Sequence, residues 1–151
     1  MGEIEYLYQK EALASSDLDA VEEALGFRFP GQVRRHYLAH NGGMPMPNCF
    51  EREGEYWCVN EIFSLKYGAN GSRLESCYNL IVVGGEDFFP RGLVPFAQDG
   101  GGDLFCFRVG SVREGSICCW LHEYPDTSLE AVVELADDLD SFLAALVIPP
   151  E

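Results

Sequence analysis

The chain has 151 residues, a length that suits one domain spanning 1–151 and burying roughly two thirds of the surface its unfolded form would expose. Ten Lys and Arg face 25 Asp and Glu, and the formal charge of −15 excludes a protein built to grip phosphates, because nucleic-acid affinity rests on basic side chains displacing counterions. The imbalance is steepest after Arg113, where no Lys or Arg follows but Glu114, Glu123, Asp126, Glu130, Glu134, Asp137, Asp138, Asp140 and Glu151 do. A surface of that sign attracts a basic partner and is repelled by anionic membrane, besides keeping a small protein dispersed.

Met1 to Lys10 has neither the basic start nor the apolar run of a secretory leader, and no apolar stretch reaches the 18 or so residues of a membrane span, so the expected location is the cytoplasm. In that compartment the six cysteines, Cys49, Cys58, Cys77, Cys106, Cys118 and Cys119, are expected as reduced, buried thiols rather than a disulfide framework.

The first predicted element is a helix opening at Ser16-Asp17-Leu18-Asp19, an N-cap with an acidic residue three places on. Leu18, Val21 and Leu25 recur at helical spacing, and Gly26 stands where a left-handed residue ends a helix. Pro30 suits the first turn of a second helix with an apolar stripe of Val33, Tyr37 and Leu38, stopped by Asn41-Gly42-Gly43. Cys49 to Glu53 and Tyr56 to Val59 then read as two strands around a turn at Gly54-Glu55, with Ile62, Phe63 and Leu65 continuing into the core.

Tyr67 to Asn79 is turn-rich with a short helix around Leu74, and residues 84–92 form a surface loop carrying Phe88, Phe89 and Pro90. Leu93 to Ala97 and Leu104 to Val109 are strands around a glycine-rich turn, and Ser116 to His122 is a third, apolar on both faces and so central. Asp137 caps a last helix in which Leu139, Phe142, Leu143 and Leu146 fall on one stripe, and Pro149-Pro150 prevents its continuation. The sum is an α+β fold: an N-terminal helical pair, an antiparallel sheet of about four to six strands, and a C-terminal helix packed on the sheet.

Chemistry finds little purchase in this pattern. His36 and His40 share one side of the second helix, but no third ligand or intervening Glu accompanies them, so no metal is expected. No thiol has a local imidazole and orienting residue around it, Cys106 and Cys118-Cys119 lie inside apolar strands, and Gly100-Gly101-Gly102 lacks the Lys and hydroxyl of a phosphate cradle. No catalytic residue and no cofactor are expected.

Binding is better served. Asp99 to Asp103 reads first as a turn whose aspartates satisfy backbone donors; the functional alternative makes Asp99, Asp103 and Glu123 an acidic rim at one edge of the sheet. Trp120 reads as core, while Tyr56 and Trp57 suit either core or interface. Along the first hairpin Glu51, Glu53 and Glu55 alternate with Phe50, Arg52 and Tyr56, which predicts one acidic face. Glu51, Glu53, Glu55, Tyr56, Asp99, Asp103 and Glu123 are therefore the candidate partner-binding residues.

Several blocks occur in a telling order: Ala24-Leu25-Gly26-Phe27-Arg28-Phe29-Pro30, His40-Asn41-Gly42-Gly43, Val94-Pro95-Phe96 with Gly102-Asp103-Leu104-Phe105-Cys106, Trp120-Leu121-His122-Glu123, and Phe142-Leu143. Together, from about Asp17 to Val147, they resemble the SUKH superfamily of bacterial immunity proteins, which includes the fungal Smi/Knr-type cell-wall regulators. The resemblance implies a non-catalytic cytoplasmic protein that neutralises the toxin domain of a polymorphic toxin system, often a nuclease, by stoichiometric occlusion. An acidic surface complements an enzyme that grips polyanions. The alternative it implies is an interaction scaffold or regulator like the fungal relatives.

Overall fold

A computed structural model describes residues 4–85, 89–110, 113–124 and 131–150. Strand β1 (Glu5–Leu7) precedes two helices, α1 (Ser15–Leu25) and α2 (Gly31–Ala39). Leu18 and Val21 bury the inner stripe of α1, and Gly26, at φ 83°, ends it in the left-handed conformation expected of that glycine. The helix begins slightly earlier than its sequence signal: Ala14 is the N-cap and Asp17, not Asp19, takes the reciprocal role, accepting from the Ala14 amide at 2.8 Å. In α2, Val33 and Tyr37 are buried, whereas Leu38 faces water at 41 % exposure, so the predicted stripe is one residue too wide.

Asn41-Gly42-Gly43 does more than stop α2. The Asn41 side chain is 2 % exposed. Its Nδ2 donates to the carbonyls of Glu11 (2.8 Å) and Leu65 (3.0 Å), and its Oδ1 accepts from the Leu65 amide (2.8 Å). Its own carbonyl accepts from the Lys10 amide at 2.9 Å. At Gly42 a Cβ would lie 2.9 Å from Ser64 Cβ, and at Gly43 it would lie 2.5 Å from the Leu7 carbonyl oxygen; both have positive φ, so only glycine fits.

The chain then forms β2 (Met44–Met46), which pairs with β1, followed by the hairpin β3 (Cys49–Arg52) and β4 (Glu55–Cys58). The hairpin turn sits at Glu53-Gly54, one residue before its predicted place, with φ of 54° and 84°, as a two-residue hairpin turn of the primed type requires. That register sets Cys49 directly opposite Cys58, Cα–Cα 4.0 Å, and the two form a disulfide. The expectation of six reduced thiols is thereby corrected for this pair; Cys77, Cys106, Cys118 and Cys119 are free, the last three buried in strands as predicted.

Short β5 (Glu61–Ile62) opens a five-stranded antiparallel sheet in the order β5-β6-β7-β8-β9, where β6 is Leu93–Gln98, β7 Leu104–Arg108, β8 Ile117–Trp120 and β9 Val132–Ala136. Strand β8 is buried along its whole length, as its apolar sequence predicts. Phe105 and Phe107 of β7 face the inner layer, where Phe27, Phe29, Phe96 and Phe142 gather with centroids 5.8–6.2 Å away. Leu104 alternates to the opposite face, which is covered by α3 (Leu74–Cys77) running on into a π-helix (Tyr78–Val83), a longer element than the predicted short helix. Phe89 is buried against Trp120 at 5.1 Å rather than exposed on a loop; Phe88 lies outside the described residues.

The last helix, α4 (Leu139–Ala144), is capped by Asp138, one residue after the predicted Asp137, through the Ser141 amide at 2.8 Å. Leu139, Phe142 and Leu143 are buried, and Phe142 stacks on Phe50 at 5.2 Å. Leu146 leaves the helix to form β10 (Leu146–Val147), which pairs with β3 and makes a three-stranded sheet β10-β3-β4. Among the described residues no helix is long and apolar enough to cross a membrane.

Asn41→Ala strands the Leu65 amide and two carbonyls in a buried place, so it is expected to lower stability by about 3 kcal/mol. A urea titration should show a lower midpoint with unchanged slope, while Gly31→Ala, in open space at a helix start, should stay within about 0.5 kcal/mol of wild type. An Asn41→Ala midpoint equal to wild type would contradict this role.

Candidate partner-binding surface

The first hairpin carries its acids differently from the sequence expectation. Glu51 stands opposite Tyr56 on one face, Glu55 stands opposite Arg52 on the other, and Glu53 occupies the turn, so the three glutamates do not share a face. Glu51 Oε2 accepts from the Gly54 amide at 3.0 Å and so braces the turn. The Arg52 guanidinium donates to the Glu134 carbonyl oxygen, tying the hairpin to β9. Tyr56 is 41 % exposed, and Trp57 is partly buried against the core.

In the second cluster the glycine-rich loop is a turn built by its first aspartate. Asp99 Oδ1 accepts from the amides of Gly101 (2.8 Å) and Asp103 (2.9 Å), the local closure that Asp favours. Asp103 Oδ1 in turn holds His122, accepting from its amide at 3.1 Å and bonding its Nδ1 at 2.6 Å. Gly102, at φ +106°, lies against the imidazole: a Cβ there would sit 3.2 Å from the ring. The Asp103 hydrogen bond raises the His122 pKa, and the nearby charges of Asp103, Glu123 and Asp99 act in the same direction. Asp99, Asp103 and Glu123 are thus brought together around one imidazole. No hydrogen bond or ion pair among the described residues joins them to the hairpin glutamates.

Five of the ten basic residues are engaged in ion pairs among the described residues. Arg34 pairs with Asp19 at 2.7 Å and Glu22 at 3.5 Å, Lys66 with Asp17 at 2.8 Å, and Arg35 with Asp140. Glu134 takes a fork from Arg108 at 2.6 and 2.5 Å and a further contact from Arg113 at 3.0 Å; Arg108 holds its carboxyl below the usual range. None of these ion pairs engages Glu51, Glu53, Glu55, Asp99 or Glu123, although Glu55 lies across the hairpin from Arg52 and Asp99 and Glu123 lie near His122.

Sequence reasoning missed two concave features. One is an open groove of about 810 Å3 lined by Asp19, Glu22, Glu23 and Glu114 over Phe27 and Val109. The other is an apolar cavity beneath the π-helix, for which the run Leu80-Ile81-Val82-Val83 was the available signal.

Burial shifts the groups with nucleophilic or ligating potential. Burial pushes the Cys77 thiol up to about 11 and raises Cys106 and Cys119 as well. His36 is buried and its pKa falls to about 4, mainly through desolvation with a smaller contribution from His40. Tyr6 packs on both rings, 4.2 Å from His40 and 5.3 Å from His36. Among the described residues no group of three His, Cys, Asp or Glu is placed to hold a metal ion.

A five-stranded antiparallel sheet with helices on both faces defines an α+β protein. Residues 12–145 match the SMI1 / KNR4 family (SUKH-1), and the chain belongs to that family. No curated protein matches the chain significantly.

Two histidines give the surface and the core opposite pH signatures. His122, with its folded pKa raised, contributes stability that is complete below its unfolded value of 6.5 and is lost as pH rises through the folded pKa. His36, depressed to about 4, is taken up by the unfolded chain first, so stability falls as pH drops from 6.5 towards 4. Imidazole proton NMR should show His122 titrating above 6.5, returning towards it in Asp103→Asn, with His36 titrating near 4. An unshifted His122 in wild type would refute the Asp103 pairing.

Proposed function

We propose that the chain is a cytoplasmic, non-catalytic immunity protein that binds and neutralises a cognate polymorphic-toxin domain, a basic nuclease-type toxin, by stoichiometric occlusion as a single domain over residues 1–151. The observation that carries this reading is the division of charge: five of the ten basic residues pair with Asp17, Asp19, Glu22, Glu134, Asp137 and Asp140, while Glu51, Glu53, Glu55, Asp99 and Glu123 enter no ion pair among the described residues. Membership of the SMI1 / KNR4 family supports a binding role, and the raised thiol pKa values speak against a thiolate nucleophile.

A surface of this kind accelerates the encounter with a basic partner, and its effect is screened by salt, whereas packed aromatics such as Tyr56 slow dissociation. An enzyme that grips polyanions presents the complementary field, so covering its cationic groove blocks substrate. The scaffold reading, with a housekeeping partner in place of a toxin, uses the same surface and differs in the partner alone.

Co-expression with the toxin encoded beside it should rescue growth and yield a one-to-one complex; neither rescue nor binding would sink the toxin reading. In the complex, combined Glu51→Lys, Glu53→Lys and Glu55→Lys should slow association by about tenfold and flatten its salt dependence. An association rate untouched by the triple reversal would move the contact off the hairpin.

A further inference from the structure

Between the π-helix and the outer face of β7 and β8 lies an overwhelmingly apolar cavity of about 480 Å3, in the range of about 300–1,000 Å3 typical of sites that enclose a ligand. Leu104 and Trp120 form its floor, Leu80 and Ile81 its wall, and Gln98 and His122 its polar end. The π-helix makes the wall: the Gly84 amide reaches back five residues to the Asn79 carbonyl at 3.0 Å, a wider turn than an α-helix makes. Gly84 is required there, since a Cβ would lie 2.7 Å from the Leu80 carbonyl oxygen.

Two features show what this cavity suits. Leu80 is 74 % and Val83 59 % exposed on the same π-helix, so apolar surface continues from the cavity onto its lip, in the manner of an interaction site. At the other end the lining residue His122 is bonded to Asp103 at 2.6 Å, Asp99 accepts from the Asp103 amide at 2.9 Å, and Glu123 follows His122 in the chain. An apolar hole beside a carboxylate rim matches an apolar side chain flanked by Lys or Arg. It disfavours a fatty-acid carboxylate, which the rim repels, and a second copy of this chain, which carries the same charge of −15.

We propose that the cavity under the π-helix is an anchor site for one large apolar side chain presented by a basic polypeptide segment, with Leu80 and Ile81 closing over it and Asp99, Asp103 and Glu123 holding the flanking cations. The inference rests on the reading of the chain as a binder of a basic protein and adds where that partner is held. Burial of a Phe-sized group supplies the slow dissociation that exposed carboxylates do not.

The test uses the full 15N-labelled chain and a blocked peptide of sequence Lys-Lys-Phe-Lys-Lys, against the same peptide with Ala for Phe and with Glu for every Lys. Expected are shifts centred on the amides of Leu80, Ile81, Gln98 and His122, binding about tenfold tighter than for the Ala peptide, and no binding of the Glu peptide. Leu80→Gln, at an exposed position, and Gly71→Phe, built into open space at the cavity's edge, should each reduce the Phe preference to about twofold or less. Equal binding of the Phe and Ala peptides, shifts centred on the Glu51–Glu55 hairpin or on the Asp19–Glu114 groove, or Phe preference surviving both substitutions would overturn the proposal. Failure of toxin rescue with a positive peptide result removes the toxin and keeps the anchor site; rescue with no Phe preference keeps the toxin and removes the anchor site.

Discussion

The Asn41 amide is the constraint from which the rest of the architecture follows. A buried amide must satisfy its donors and acceptor, and here that demand is met only if three separate segments arrive together: the Lys10-Glu11 approach, the end of α2, and the Leu65 strand exit. Gly42 and Gly43 let those segments close to van der Waals distance, and Gly43 exchanges backbone bonds of 3.0 and 2.7 Å with Ile62. Tyr37 adds a bond of 2.8 Å from its hydroxyl to the Phe63 carbonyl. The helical pair is thereby fixed to the start of the main sheet by polar bonds with one geometry, which greasy contact alone would not specify.

With that corner fixed, the electrostatics sort themselves by depth. Arg108 of β7 and Glu134 of β9 meet across the intervening β8, partly buried, where a forked pair is stronger than at the surface. Arg34 and Lys66 bind carboxylates of α1. Cations paired this way neutralise their own partners and leave the net charge of −15 to the acids that have none.

What the sequence made legible is what local rules decide. Leu18 and Val21 with Gly26 marked α1, and the unbroken apolar run of β8 marked an interior strand. Register and propensity conflicts hid the rest. Cys49 meets Cys58 only because Glu53, a non-glycine residue at positive φ, enters the turn, and that one-residue displacement also moved Glu55 to the face of Arg52. Ile81 and Val82 are poor helix formers held in a π-helix by packing against the core, and β9 carries both strand and helix periodicities in Val132-Val133-Glu134-Leu135-Ala136. At the candidate site, Asp99 and Asp103 were recognised as turn aspartates, but their meeting with His122 depends on β7 pairing with β8, a long-range fact.

The hairpin illustrates how stability elements and a binding surface come to occupy the same strands. A two-stranded ribbon alone is marginal in water. Here the Cys49–Cys58 bond joins its strands, Glu51 braces the turn, Arg52 reaches the β9 backbone, Phe50 stacks on Phe142, and β10 pairs along the other edge of β3. Those contacts use the inner face, the turn amide and one edge, which leaves Tyr56 and the outward carboxylates exposed on a ribbon that has already lost its conformational freedom. A partner meeting such a surface does not have to supply the ordering entropy of the strands, and the gain appears directly as affinity. Rigidity at the hairpin therefore belongs to binding as much as to folding.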